Sequence, residues 1–171
     1  MSLRAGIRAV LAFCLALALA ACAPELDWRE VSVAEGGFAV LLPGRAQRES
    51  RTIDTAAGPL TMTLYAHSLK RWTMGVAYTD LPAAQQANAQ LDAARDALLR
   101  NIGASKREEQ AVQIGGLPGR QLYAEGVGGA RLSARFLVSG TRLYQIAYVS
   151  AGDALPLADI DMFLASFRLL P

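Results

Sequence analysis

Four stretches of this chain alternate apolar residues with small or polar ones at a period of two. Leu60, Met62 and Leu64 fall on one side of their segment, with Thr61, Thr63 and Tyr65 opposite. Trp72, Met74, Val76 and Tyr78 repeat the pattern against Thr73, Gly75, Ala77 and Thr79. Leu132, Ala134, Phe136 and Val138 alternate with Arg131, Ser133, Arg135 and Leu137, and Tyr144, Ile146 and Tyr148 share a side within 143–149. Successive side chains on a strand point to opposite faces, so each stretch predicts a strand with one buried face.

Further strands are expected from Trp28 to Val33 and from Phe38 to Leu42, the second ended by Pro43-Gly44. Arg48 to Thr55 is polar enough for an exposed strand. Lys106 to Ile114 and Arg120 to Glu125 flank a loop or turn, Gly115-Gly116-Leu117-Pro118-Gly119, and Ser139-Gly140-Thr141 signals a tight hairpin.

Two segments change period. Ala87, Leu91, Ala94, Leu98 and Ile102 are spaced by three or four, one apolar stripe of a helix. Asp80 and Pro82 precede it as start signals and Gly103 ends it. The small residues at 73, 75, 77 and 79 leave room for a helix to approach that strand face. A second helix is expected from Pro156 to Phe167, with Leu157, Ile160, Phe163, Leu164 and Phe167 inward and Asp159 and Asp161 favouring the dipole at its start. Leu91, Leu98, Ile160 and Phe163 should all be buried. Strands, helix, strands, helix in that order, with hairpins dominating, predicts an α+β layered domain over 28–171. Its sheet should be mainly antiparallel and packed with two principal helices.

The N-terminal segment has a different character. Arg4 and Arg8 precede an apolar run from Ala9 to Leu19, which closes on Leu19-Ala20-Ala21-Cys22. Spanning a bilayer takes about 20 apolar residues, and this run stops at Pro24, Glu25 and Asp27. A basic start, a short apolar stretch and small residues before a cut are the parts of a secretory signal. With the cysteine they resemble a bacterial lipoprotein signal peptide and its lipobox. The resemblance implies removal of residues 1–21, lipid attachment at Cys22 and a short tether over 22–27. The domain would then lie outside the cytoplasm, anchored to the membrane. Ala23 stands where an aspartate would retain a lipoprotein at the inner membrane, so an outer-membrane position facing the periplasm is expected.

Charge and cysteine usage narrow the chemistry. The 171-residue chain has 17 basic and 15 acidic residues. Loss of Arg4 and Arg8 with the leader brings the mature formal charge to zero, and no basic stripe argues for nucleic acid. Cys14 would leave with the leader and Cys22 would be consumed by lipid. The mature domain would then have no disulfide, no redox thiol and no cysteine metal ligand, and its core alone must hold it.

Several landmarks together resemble a known fold. They are Phe38-Ala39-Val40-Leu41-Leu42-Pro43, the run Trp72 to Pro82, and the helix ending at Asn101-Ile102-Gly103. Gly115 to Arg120, Arg142-Leu143-Tyr144-Gln145 and Phe163-Leu164-Ala165-Ser166-Phe167 complete them. The chain is similar in these to the PsbP-like fold of photosystem extrinsic subunits, a Ran-binding nuclear transport factor and several bacterial lipoproteins. The resemblance implies a binding or assembly role without catalysis. It transfers no functional residue, and no cofactor is expected.

No catalytic, cofactor-binding or metal constellation stands out. His67 is the one histidine. With Ser68 and Asp80 it raises a nucleophilic triad, which would need a base bonded to its nucleophile and an acid orienting it. The acidic pairs Glu108-Glu109 and Asp159-Asp161 read more simply as solvated or helix-start residues than as a calcium site. Gly115 to Arg120 lacks the lysine and hydroxyl of a phosphate loop and leads into a strand, so it reads as a turn. Arg131, Arg135 and Arg142 are candidates to grip an anionic partner from an exposed sheet face. Trp72, Tyr65, Tyr144 and Tyr148 are candidates to line a cleft, although core packing is the simpler reading. The expected function is therefore a non-catalytic module that docks on an envelope protein. The alternative is a carrier or sensor of a small apolar or anionic ligand, held between sheet and helix.

Overall fold

The computed structural model describes residues 26–55, 58–83, 87–152 and 154–171. Cys14, Cys22 and the whole Leu19–Cys22 motif lie outside the described residues. At the start of the described chain Leu26 is already half-buried, and the Asp27 amide donates to the Pro43 carbonyl at 3.3 Å.

A small antiparallel sheet comes first. β1 (Arg29–Val33) and β2 (Phe38–Leu42) form a hairpin, and the two-residue β10 (Arg168–Leu169) pairs with the free side of β2. A larger sheet holds β3 (Gln47–Thr55), β4 (Gly58–Leu69), β5 (Trp72–Asp80), β6 (Lys106–Ile114), β7 (Leu117–Glu125), β8 (Ala130–Ser139) and β9 (Arg142–Ala151). Its order is β3-β4-β5-β9-β8-β7-β6, and every neighbouring pair is antiparallel. The two α-helices among the described residues are α1 (Ala87–Ile102) and α2 (Leu157–Ser166).

Period-two alternation lets the large sheet bury both of its faces. On one face Trp72, Met74, Val76 and Tyr78 of β5 and Tyr144, Ile146 and Tyr148 of β9 meet the small sheet and α2. Phe38 is fully buried there, stacked on Phe167 at 5.8 Å and edge-on to Tyr78 and Tyr144 at 6.2 and 6.1 Å. Such ring pairs favour offset or edge-to-face contact, adding to the apolar area removed from water. On the other face Leu122, Leu132, Ala134, Phe136 and Leu143 lie under Leu91, Leu99 and Ile102 of α1. The edge strands carry the polar residues: Gln47–Thr52 and Lys106–Ala111 are exposed. Charged edges discourage pairing with another chain.

The architecture is the α+β layered form expected, with local corrections. Leu98 is half-buried and its neighbour Leu99 takes the core position, because α1 is turned to put Leu91, Leu99 and Ile102 against the sheet. With apolar residues at both 98 and 99, spacing alone could not choose the face. Leu157 is 66% exposed at the first turn of α2, whereas Ile160, Phe163, Leu164 and Phe167 are buried. The glycine-rich stretch at 115–119 contains a two-residue turn, as expected, but the strand after it starts earlier than Arg120. Gly115 and Gly116 both have positive φ, the geometry of a tight hairpin, so β7 begins at Leu117.

Candidate functional site

The most enclosed concavity among the described residues is a cleft of about 460 Å³ between α1 and the β3–β4–β5 side of the large sheet, smaller than two shallower hollows elsewhere. Its floor is Ile53 of β3, Leu60 and Met62 of β4, Ala77 and Thr79 of β5, and Leu143 and Gln145 of β9. Its roof is one side of α1: Ala89, Gln90, Ala93, Ala94, Ala97 and Leu98. Arg51, Asp54, Arg100 and Asn101 are exposed polar residues lining it.

Two features of the sequence produce this cleft. Ala89, Ala93 and Ala97 stand at i, i+4 and i+8, one above another on a helix. Alanine has no atom beyond Cβ, so this side of α1 cannot reach the strands below. The opposite side of α1 is tied down. Arg95 bonds Asp92 at 3.0 Å and Asp96 at 2.9 Å, and reaches Glu109 of β6 at 3.5 Å. Arg120 of β7 bonds Asp92 at 2.7 Å and Glu109 at 3.5 Å. The Arg95 guanidinium holds the Asp96 carboxyl below the usual carboxylate range. Helix α1 is thus drawn mainly over β8 and β9. On the small-residue face of β5, Ala77 and Thr79 are buried and form part of the cleft floor.

The aromatic candidates lie elsewhere. Trp72, Tyr144 and Tyr148 are buried in the core on the far side of the sheet, with Tyr65 packed against it. The Tyr144 hydroxyl donates to the Gly36 carbonyl at 2.8 Å, and the Leu155 amide donates to the Tyr148 hydroxyl at 2.9 Å. Burial pushes the Tyr144 hydroxyl pKa up. The cleft is aliphatic, and its signal in the sequence is the alanine row, which carries no aromatic or charged motif.

The arginine candidates separate in the same way. Arg135 is half-buried: its Nε donates to Gln121 Oε1 at 2.7 Å and its Nη1 to the Leu164 carbonyl at 3.0 Å, near the C-terminal end of α2. Such a carbonyl has no partner within the helix, so Arg135 acts as its cap. Arg142 is held by Asp80 and lies over the Tyr78 ring at 4.9 Å. Of the three, Arg131 alone is exposed.

His67, Ser68 and Asp80 do not converge. His67 Nδ1 lies 3.1 Å from the Arg45 carbonyl, and its ring tilts against Trp72 at 6.0 Å. Ser68 Oγ pairs with Thr73 Oγ1 at 2.8 Å, and Asp80 is taken by Arg142. Glu109 belongs to the α1 network and Asp159 to the first turn of α2. Among the described residues, no three His, Cys, Asp or Glu side chains gather as a metal site.

The chain superimposes on the solution structure of cyanobacterial PsbP (CyanoP) from Synechocystis sp. PCC 6803 with a TM-score of 0.51, over 86% of this chain and 95% of that one. The fold is PsbP-like. Identity over the match is 14%, so the PsbP-like likeness is one of backbone architecture. No family model and no curated relative matches the chain.

Proposed function

We propose that this is a lipid-anchored protein of the bacterial cell envelope whose PsbP-like domain is a non-catalytic binding module. The address rests on Arg4, Arg8 and the Leu19-Ala20-Ala21-Cys22 motif. One acyl chain binds a membrane reversibly, at about 0.8 kcal/mol per buried methylene, and several hold firmly. A triacylated Cys22 would keep the domain on the outer membrane, facing the periplasm. The binding role rests on the cleft under the alanine row of α1, whose volume falls within the roughly 300–1,000 Å³ of small-molecule sites.

The cleft favours the carrier or sensor reading over docking on another envelope protein. Its apolar floor and exposed arginines suit a small apolar or anionic ligand. Among the described residues, the large exposed apolar side chains Val127, Leu157 and Met162 are divided between the 127–129 turn and α2.

Mass spectrometry of the N-terminal peptide of the processed protein tests the anchor. Acyl mass on Cys22 is expected, and Cys22→Ala should release the domain from membranes or leave the precursor uncut. An unmodified cysteine, or cleavage at another bond, would refute the anchor. Reproducible turnover by the purified protein, lost in a folded His67→Ala variant, would refute the non-catalytic reading.

A further inference from the structure

We propose that the cleft takes a single-chain amphipathic anion, its aliphatic chain lying between α1 and the sheet and its acidic head meeting Arg51 or Arg100. The inference deepens the binding reading above and rests on it.

Three observations select this ligand class. First, among the described residues no aromatic side chain lines the cleft; Ile53, Leu60, Met62, Leu98 and Leu143 supply its larger apolar contacts. Planar ligands are held by stacking on rings, whereas an aliphatic lining offers undirected apolar contact of the kind a hydrocarbon chain uses. The Met62 thioether adapts to irregular occupants. Second, the lining of the cleft runs along α1, where the i, i+4, i+8 row Ala89, Ala93 and Ala97 spans two turns of the helix. Third, the charge along it is unequal. Arg51 enters from the sheet edge and Arg100 from the helix, against one carboxylate, Asp54. Arg100 attracts the Asp96 carboxylate without a close ion pair and Arg51 has no ion pair among the described residues, whereas Arg48, Arg95, Arg120 and Arg142 are all engaged at close range. Guanidinium groups suit carboxylate and phosphate equally, so a free fatty acid and a lysophospholipid share the required chemistry.

Membranes carrying the full chain are treated with palmitic acid bearing a diazirine, or with the matching alcohol, irradiated and mapped by peptide mass spectrometry. The acid should label peptides containing Leu60–Met62 and Ala93–Leu98, and the alcohol should label them less. Filling the cleft with Ala93→Phe and Ala97→Phe should abolish most of this labelling. Arg51→Gln with Arg100→Gln should lower acid labelling by about threefold or more while leaving the alcohol unchanged, as for the loss of exposed charge pairs. Competition by unlabelled palmitate points to a free acid, and competition by lysophosphatidylglycerol to a lipid head; either supports the proposal.

Equal labelling by acid and alcohol, competition by neither lipid, or no labelling at these peptides overturns it. If the filled variant does not fold, the arginine variant and the competitors decide. Fractionation of the same sample reports the anchor separately. Wild-type chain that sediments with membranes but stays unlabelled removes this inference alone.

Discussion

Arg142 at the start of β9 forks onto Asp80 at the end of β5, donating from Nε at 2.6 Å and from Nη2 at 2.8 Å to the two carboxylate oxygens. The two residues face each other in the strand register. A third bond runs from Arg142 Nη1 to the Glu35 carbonyl at 2.9 Å. One guanidinium thus ties β5, β9 and the β1–β2 turn together at one end of the sandwich.

This pair gives a pH dependence of definite sign. The hydrogen bonds from Arg142 hold the Asp80 carboxyl below its ordinary range. A depressed carboxylate contributes stability that is fully present above the unfolded value, about 4, and is lost as pH falls through the folded one. The Asp80 side chain is 59% exposed, so solvent screening limits the pair to about 0.5–1 kcal/mol. Urea unfolding should show Asp80→Asn less stable by that amount at pH 7, with the gap closing in acid. A gap that widened in acid would contradict the assignment.

The orientation of α1 is tested by neighbouring leucines. Leu99 is buried against the sheet, while Leu98 is half-buried along the cleft. Leu99→Ala should cost about 2–5 kcal/mol. Leu98→Ala should cost less, since its side chain already borders open space. Equal losses in thermal unfolding would place the helix differently.

Gly126 is fixed by a close approach of backbone to backbone. It precedes the 127–129 turn in extended conformation, with φ −128°, so a side chain is not excluded by its dihedral angles. A Cβ there would fall on the carbonyl oxygen of Ile102, at the end of α1. The neighbouring backbone must move, so Gly126→Ala should destabilise by about 1–3 kcal/mol. Gly115→Ala is the contrast: a Cβ there meets nothing within 4 Å, and the cost comes from its positive φ of 58°. Chemical denaturation of the two variants separates steric from conformational cost.

His67 is predicted to be dispensable for function. Its ring lies against Trp72 and covers Gly44, and its Nδ1 faces a backbone carbonyl. His67→Ala should preserve whatever phenotype the wild-type protein complements, at a modest loss of stability from the contacts removed. Complementation at matched protein levels checks this, and complete loss of function in a folded variant would give the residue a role that its contacts do not explain.

The aromatic nucleus should dominate stability. Phe163 and Phe38 are fully buried between α2, the small sheet and the large one. Phe163→Ala should cost about 3–5 kcal/mol. A loss below 1 kcal/mol in equilibrium unfolding would mean that α2 is not part of the cooperative core.

Much of the fold was legible because side-chain period reports local geometry directly. Trp72, Met74, Val76 and Tyr78 announced β5 and its core face, and Gly140 announced the hairpin between β8 and β9, where Ser139 faces Arg142. Ile160, Phe163, Leu164 and Phe167 announced the buried stripe that ends α2. A strand or helix exposes its pattern within a few residues, whatever lies around it. The rest depended on contacts between residues far apart in the chain. The spacing named Leu98 for the core, and the position of β8 and β9 beneath α1 chose its neighbour Leu99 instead. It offered Arg135 as a free cation, and the Leu164 carbonyl, brought to 3.0 Å, claimed it. Two-residue β10 carries too short a pattern to read and exists because Phe167 docks on Phe38 beside β2. The cleft is the clearest case. Ala89, Ala93 and Ala97 are ordinary helix formers by themselves, and they become the roof of a cavity because Arg95 and Arg120 hold the other side of their helix over a different part of the sheet.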